Sequence, residues 1–279
     1  MPIVSLEALL YCIERPAQKM SEFETELNEL SLRLFDRIPS QSTDDDKRSL
    51  LACQLAVREL AGEYNYLEIG SYLGGSIQPH LIDPKCKRIF SIDKRPAAQP
   101  DERGYEWRYN NNSTARMLEK LNKVSDDTSK VTTIDGDTRQ IKPEMINEKV
   151  QLCFIDGEHT DQASIADFEF CLKVLDGRGV IMFHDSHITY LGIQDCLAQL
   201  DRNGVAYNAY VLPSVLFIVE IGDFRMYEHP TITRLLTENH KSYLFALGDN
   251  DKYRRFANGF PFGTLRRLVL RFRGGNVSE

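Results

Sequence analysis

The chain has 279 residues, 42% of them apolar and 27% charged, and carries a net charge of −7. That length suits one large α/β domain with extensions, and the composition is that of an ordinary soluble globular protein. The acidic balance argues against a nucleic-acid binder, because phosphate contacts demand a basic footprint. Cys12, Cys53, Cys86, Cys153, Cys171 and Cys196 lie far apart with no Cys-x-x-Cys pair, which points to buried free thiols rather than disulfides or a zinc site. The first residues do not join a basic region to a long apolar core, and no apolar run approaches ~18 residues, so a cytoplasmic protein is expected.

Residues 1–62 read as a helical N-terminal extension. Leu27, Leu30, Leu34 and Phe35 recur at helical spacing, with Glu22, Glu24, Glu26 and Glu29 on the remaining positions. The stretch from Pro39 to Asp46 breaks the pattern, and its hydroxyls and carboxylates suit an N-cap for a helix over Lys47–Leu60. The triplet Asp44, Asp45 and Asp46 is read as capping and solvation rather than a metal site. The helix is expected to bury Leu50, Leu51, Leu55 and either Val57 or Leu60, and to end at Gly62.

Over residues 63–222 strand and helix signals alternate, which argues for a parallel sheet. The strands are Tyr64–Ile69, Arg88–Asp93, Val131–Ile134, Val150–Ile155 and Val180–Phe183. A short helix follows Ser76, tolerating Pro79 in its first turn. Arg95–Asn112 is a long polar insertion holding Trp107, either a substrate cover or a surface excursion. Further helices are expected around Met117–Val124, over Asp161–Leu175 and over Gly192–Leu200, with Asp176–Gly179 as a turn. Val205–Leu212 and Val215–Ile221 are separated by Pro213-Ser214 alone, so they can only form an antiparallel hairpin. Residues 223–279 form a basic, partly helical C-terminal extension. Within it Lys252–Arg273 has seven basic residues and no acidic one, interleaved with aromatics. That segment suits an anionic membrane surface or glycan, or its own acidic body or a second subunit.

The chemistry gathers at the strand ends. Tyr66-Leu-Glu-Ile-Gly-Ser-Tyr-Leu-Gly-Gly-Ser76 runs from a strand into a glycine turn and a helix start, where backbone can approach a ligand closely. The spacing is Glu-x-Gly-x-x-x-Gly and no lysine follows, so a phosphate loop is poorly supported. Asp93 closes the second strand, where a carboxylate can accept from two ribose hydroxyls. Asp156-Gly-Glu-His159 and His184-Asp185 end adjacent central strands, the edge at which open α/β sheets hold ligands.

These motifs resemble the class I S-adenosylmethionine (SAM) methyltransferases, and the resemblance covers most of residues 64–221. Asp-Gly-x-His with His-Asp is similar to the branch that O-methylates sugars and macrolides. The resemblance implies a Rossmann-like three-layer sandwich with a mostly parallel seven-stranded sheet and an antiparallel terminal hairpin. It implies a SAM site at Glu68, Gly70, Ser71, Tyr72, Gly74, Ser76, Asp93, Asp137, Thr138 and Asp156. Asp93 would take the ribose hydroxyls and Asp137 the adenine amino group. Asp156 and Asp185 would hold a magnesium-type cation, with His184 standing in for a further ligand at a site where Ser186 departs from the pattern. An acid–imidazole mixture suits magnesium less well than an all-oxygen set. His159 becomes the general base, beside Asp156 and Asp185 as catalytic residues. The expected acceptor is a hydroxyl on a small molecule or glycan, since the Asn/Asp-Pro-Pro-Tyr motif of amino-group methylation is absent. Two other readings stay open: an iron-dependent oxygenase using His159, Asp185 and His187, and a SAM-binding module without catalysis. Oligomerisation is open as well.

Overall fold

The computed structural model describes residues 21–104, 106–237, 251, 256, 259–265 and 268. The expected helix before residue 21 and most of the basic Lys252–Arg273 segment lie outside the described residues. Helix α1 is Glu22–Asn28, started by a capping box in which Ser21 accepts from the Glu24 amide and Glu24 reaches back to Ser21. Helix α2 is Asp44–Ala61, with the same device between Thr43 and Asp46. It therefore begins three residues before the expected start, because the acidic triplet forms its first turn. Val57 is buried and Leu60 is exposed, which decides between them as the core residue.

Strands β1 (Tyr64–Ile69), β2 (Cys86–Asp93), β5 (Val131–Asp135), β6 (Val150–Ile155) and β7 (Leu175–Phe183) are parallel. With β8 at Tyr207–Leu212 and β9 at Leu216–Ile221, the sheet order is β5-β2-β1-β6-β7-β9-β8. Strands β8 and β9 close it as an antiparallel hairpin, with β9 against β7. Helices α3 (Gln78–Ile82), α4 (Thr114–Leu121), α5 (Asp161–Val174) and α6 (Tyr190–Arg202) connect the strands. The turn expected at Asp176–Gly179 is instead a bulged stretch inside β7. Val150 pairs with Leu175 and Leu152 with Val180, and Gly177 supplies the positive φ of +63° that the extra residues need.

Side chains alternate across the sheet as the two-residue period requires. Tyr66, Phe154, Val180 and Met182 face a core shared with Leu27, Leu34, Phe35, Ile38 and the apolar side of α2. Leu67, Phe90, Cys153, Ile155, Ile181 and Phe183 face the other core, with Phe168, Cys171 and Ile193 from α5 and α6. The N-terminal segment thus supplies one of the outer layers of the sandwich. Gln78 fastens it: its side chain accepts from the Ile38 amide at 2.8 Å and donates to the carbonyls of Phe35, Ile38 and Gly75. The segment from Pro39 to Thr43 is thereby held over the carboxyl edge of the sheet. The long insertion contains a two-stranded ribbon, β3 (Ala98–Pro100) and β4 (Glu106–Arg108).

Candidate active site

Register brings the strand ends level. Ile69 lies opposite both Ile92 and Ile155, and Ile155 lies opposite Phe183. The residues that follow, Gly70, Asp156 and His184, therefore emerge side by side into one cleft of about 590 Å³. Gly70 sits at φ +95°, and a Cβ there would meet the Asp156 carbonyl oxygen at 2.1 Å. Main chain packs on main chain at this point, so glycine is demanded by the fold before any ligand is considered. The cradle continues through Tyr72, whose amide donates to Asp93 Oδ2 at 2.8 Å. Asp93 Oδ1 accepts from the Arg95 amide at 2.6 Å, and Arg95 also donates to Asn112 and the Tyr72 carbonyl.

Gly70, Ser71, Tyr72, Ser76, Asp93 and Asp156 line the cleft. Glu68 lies beneath it, fully enclosed, accepting from Tyr66 Oη and Ser76 Oγ at 2.6 Å each. Burial pushes its pKa up to about 7 against those hydrogen bonds. Gly74 packs on Met117 and Leu121 of α4. Asp137 and Thr138 do not line this cleft: Asp137 pairs with Arg139 and with Lys94, and Thr138, in a small adjoining pocket with Gly70 and Asp93, donates to the buried Asp167 at 2.5 Å.

At the other end of the cleft carboxylates and imidazoles interlock. His184 Nδ1 lies 3.0 Å from Asp156 Oδ1 and 3.3 Å from Asp185 Oδ2, and its Nε2 lies 3.4 Å from Asp46 Oδ2. None of these approaches is aligned as a hydrogen bond, so both ring nitrogens are buried beside charge without a bonded partner. Burial opposes a charged imidazole here, yet the surrounding carboxylates, Asp156 first, hold the pKa well above 6.5. Asp185 is half-buried, and the neighbouring imidazoles, His184 first, keep its pKa below the usual carboxylate range. It adopts φ +47°, an uncommon conformation that aims its carboxylate back between the histidines. His159 stands between two acids, with Nε2 at 3.3 Å from Asp185 Oδ2 and Nδ1 at 3.8 Å from Asp101 Oδ2. Against its burial, these acids raise its pKa.

Among the described residues, Asp156, His184 and Asp185 form the group whose ligand atoms all lie within 4.8 Å of one another. With the orphaned His184 nitrogens, that convergence fits a divalent cation. Two carboxylates and an imidazole suit a manganese-, iron- or zinc-type ion at least as well as magnesium. The alternative iron trio is not what converges: His159 and His187 flank opposite oxygens of Asp185, at 3.3 and 3.7 Å.

Asp46 and Asp101 have no forewarning in the sequence. Asp46 is buried in its own cap, where Thr43 donates to it, and is not solvated as expected. Asp101 lies on the ribbon, held by Arg103 and by Trp107 Nε1 at 3.0 Å, with the Glu102 amide bonded to the His159 carbonyl. The polar insertion is therefore a wall of the cleft, with Trp107 and Tyr109 facing it.

A family model described as a methyltransferase domain matches residues 67–186. A curated relative from Acanthamoeba polyphaga mimivirus, the uncharacterized protein R132, is 25% identical over 123 residues, 44% of this chain and 52% of that protein. The chain thus spans about half the length of the curated relative it matches. Among solved structures, an O-methyltransferase from Bacillus cereus in complex with S-adenosylhomocysteine is 17% identical, with a TM-score of 0.48, covering 77% of this chain and 96% of that one. The calicheamicin methyltransferase CalS11 is 18% identical, with a TM-score of 0.46, covering 74% of this chain and 95% of that one. No helix among the described residues is long and apolar enough to cross a membrane.

Proposed function

We propose, from the premise that residues 67–186 form a methyltransferase domain, that the chain transfers the methyl group of SAM to a hydroxyl of a sugar or natural-product small molecule. One observation carries the reading: a single cleft joins the glycine turn and Asp93 to the acid–imidazole cluster. Gly70, Ser71 and Tyr72 offer close backbone approach for the methionyl part, and Asp93 offers carboxylate oxygens to the ribose. SAM supplies an electrophilic methyl group on sulfonium, so the cofactor carries the difficult chemistry. The acceptor oxygen forms the new carbon–oxygen bond as the carbon–sulfur bond breaks, leaving S-adenosylhomocysteine. The hydroxyl proton goes to His159. Its imidazole must be neutral to accept that proton, and Asp101 and Asp185 shift the neutral form to higher pH than an isolated histidine would need. Asp156, His184 and Asp185 would hold a divalent cation, which supplies Lewis-acid activation of the acceptor hydroxyl.

Calorimetric titration with S-adenosylhomocysteine, followed by turnover of labelled SAM against a panel of glycosides and phenols, tests this. Binding and turnover with hydroxyl acceptors are expected. Failure to bind S-adenosylhomocysteine would overturn the cofactor assignment, and binding without turnover would leave a non-catalytic module.

A further inference from the structure

His184 has a feature the proposed reaction does not use: its two ring nitrogens face different elements. Nδ1 is turned toward Asp156 and Asp185, at the ends of β6 and β7, and Nε2 toward Asp46, in the first turn of α2. The ring is fixed in this attitude by Phe154, edge-on at 6.0 Å and 77°. Asp46 is itself immobilised, since Thr43 donates its amide at 2.9 Å and its hydroxyl at 2.7 Å to Oδ2. Its Oδ1 is buried with no hydrogen-bond partner among the described residues. A carboxylate with spare acceptor capacity thus stands behind an imidazole whose other nitrogen points into a cation-sized group of acids. An imidazole that ligates a cation keeps one N–H, and a carboxylate behind that N–H fixes both tautomer and ring orientation.

We propose that Asp46 is the positioning residue of His184, its Oδ2 standing 3.4 Å from Nε2 so as to take the Nε2–H into a hydrogen bond when Nδ1 is presented to a divalent cation between Asp156 and Asp185. The inference rests on the cation site of the proposed function and adds to it a group from outside residues 67–186. The α2 cap thereby acquires a second role, because the start of an outer-layer helix sets the geometry of a ligand at the sheet edge.

The test is a calorimetric titration of the full chain with manganese(II), in wild type, Asp46→Asn, Asp46→Glu and Asp156→Asn, beside a titration with S-adenosylhomocysteine. Asp46→Asn should weaken manganese binding by about 10–100-fold, the usual effect of losing an acid behind a ligating histidine, and Asp46→Glu should restore part of it. Nitrogen-15 spectra of the zinc-loaded wild type should show His184 metallated at Nδ1 and protonated at Nε2, an observation that needs no variant to fold. Unchanged manganese affinity in Asp46→Asn beside lost affinity in Asp156→Asn would overturn the positioning role and leave the cation site standing. Metallation at Nε2 would overturn it equally. Absence of manganese binding by wild type that still binds S-adenosylhomocysteine would overturn both the cation site and this inference, but not the cofactor assignment.

Discussion

At Glu68 a carboxylate is enclosed so completely that its pKa rises from 4.5 to about 7. Below the lower value it is protonated in both folded and unfolded chains. Between the two values the unfolded chain releases the proton while the fold retains it, so stability falls as pH rises through this window. The effect is on the order of 3 kcal/mol for full burial. Urea unfolding at about pH 5 and about pH 8 should therefore show a shallower pH slope in Glu68→Gln than in wild type; identical slopes would refute it. Asp93→Ala should weaken S-adenosylhomocysteine binding by about 1–3 kcal/mol, the range for a hydrogen bond to a charged group, as read by calorimetry. His159→Ala should lower kcat by about 10²–10⁴ while leaving cofactor affinity unchanged; near-full turnover would remove it as the base. Asp93, Asp156, His159, His184 and Asp185 were visible in the sequence because strand ends mark where they emerge. Asp46 and Asp101 were not, since their partners lie 138 and 58 positions away and no local pattern encodes that distance. Glu68 was recognisable as an acid, but its enclosure depends on Tyr66 and Ser76 folding over it.

A cap before α2 is legible in the hydroxyls and carboxylates of Pro39–Asp46, but the first helical residue is not: it lies three positions ahead of the expected Lys47, because Asp46 closes a box on Thr43. Thr43→Ala should cost about 0.5–2 kcal/mol in chemical denaturation, and, through Asp46, should disturb His184 as well. The start of β7 was less legible, since Asp-Gly-Arg-Gly reads as a turn whether the chain reverses or only bulges. The insertion stayed ambiguous for another reason: its ribbon is three residues per strand, too short for a periodic signal. Replacing residues 98–108 by a short glycine linker should spare S-adenosylhomocysteine binding and abolish acceptor turnover, because Asp101 and Trp107 leave with it. Retained turnover in a folded variant would show that the ribbon is not part of the acceptor wall.

Across the whole molecule, the parallel strands follow from the alternating pattern and the closing hairpin from the two-residue link at Pro213-Ser214, while the strand order belongs to the folded sheet. The place of residues 21–61 does not follow from the pattern either. Helical periodicity shows that an apolar stripe exists, not which face of which sheet it covers, and the covering is complete enough that Leu51, Ala52 and Tyr66 have no exposure. A chain beginning at residue 63 should accordingly lose cooperative thermal unfolding and bind a hydrophobic dye; a sharp transition like that of the full chain would show the layer to be dispensable. The seam at Gly70 has a different kind of consequence. The turn proposed to hold the methyl donor and the strand end proposed to face its acceptor touch through main chain, with no room for one added methyl group. Their spacing is therefore set by backbone, and side-chain exchange elsewhere in the cleft leaves it alone. For enzyme engineering this separates the two halves of the reaction. A library confined to Ser40, Gln41, Trp107 and Tyr109, which reach the cleft from the outer segments, would search acceptor range while the donor stays in register.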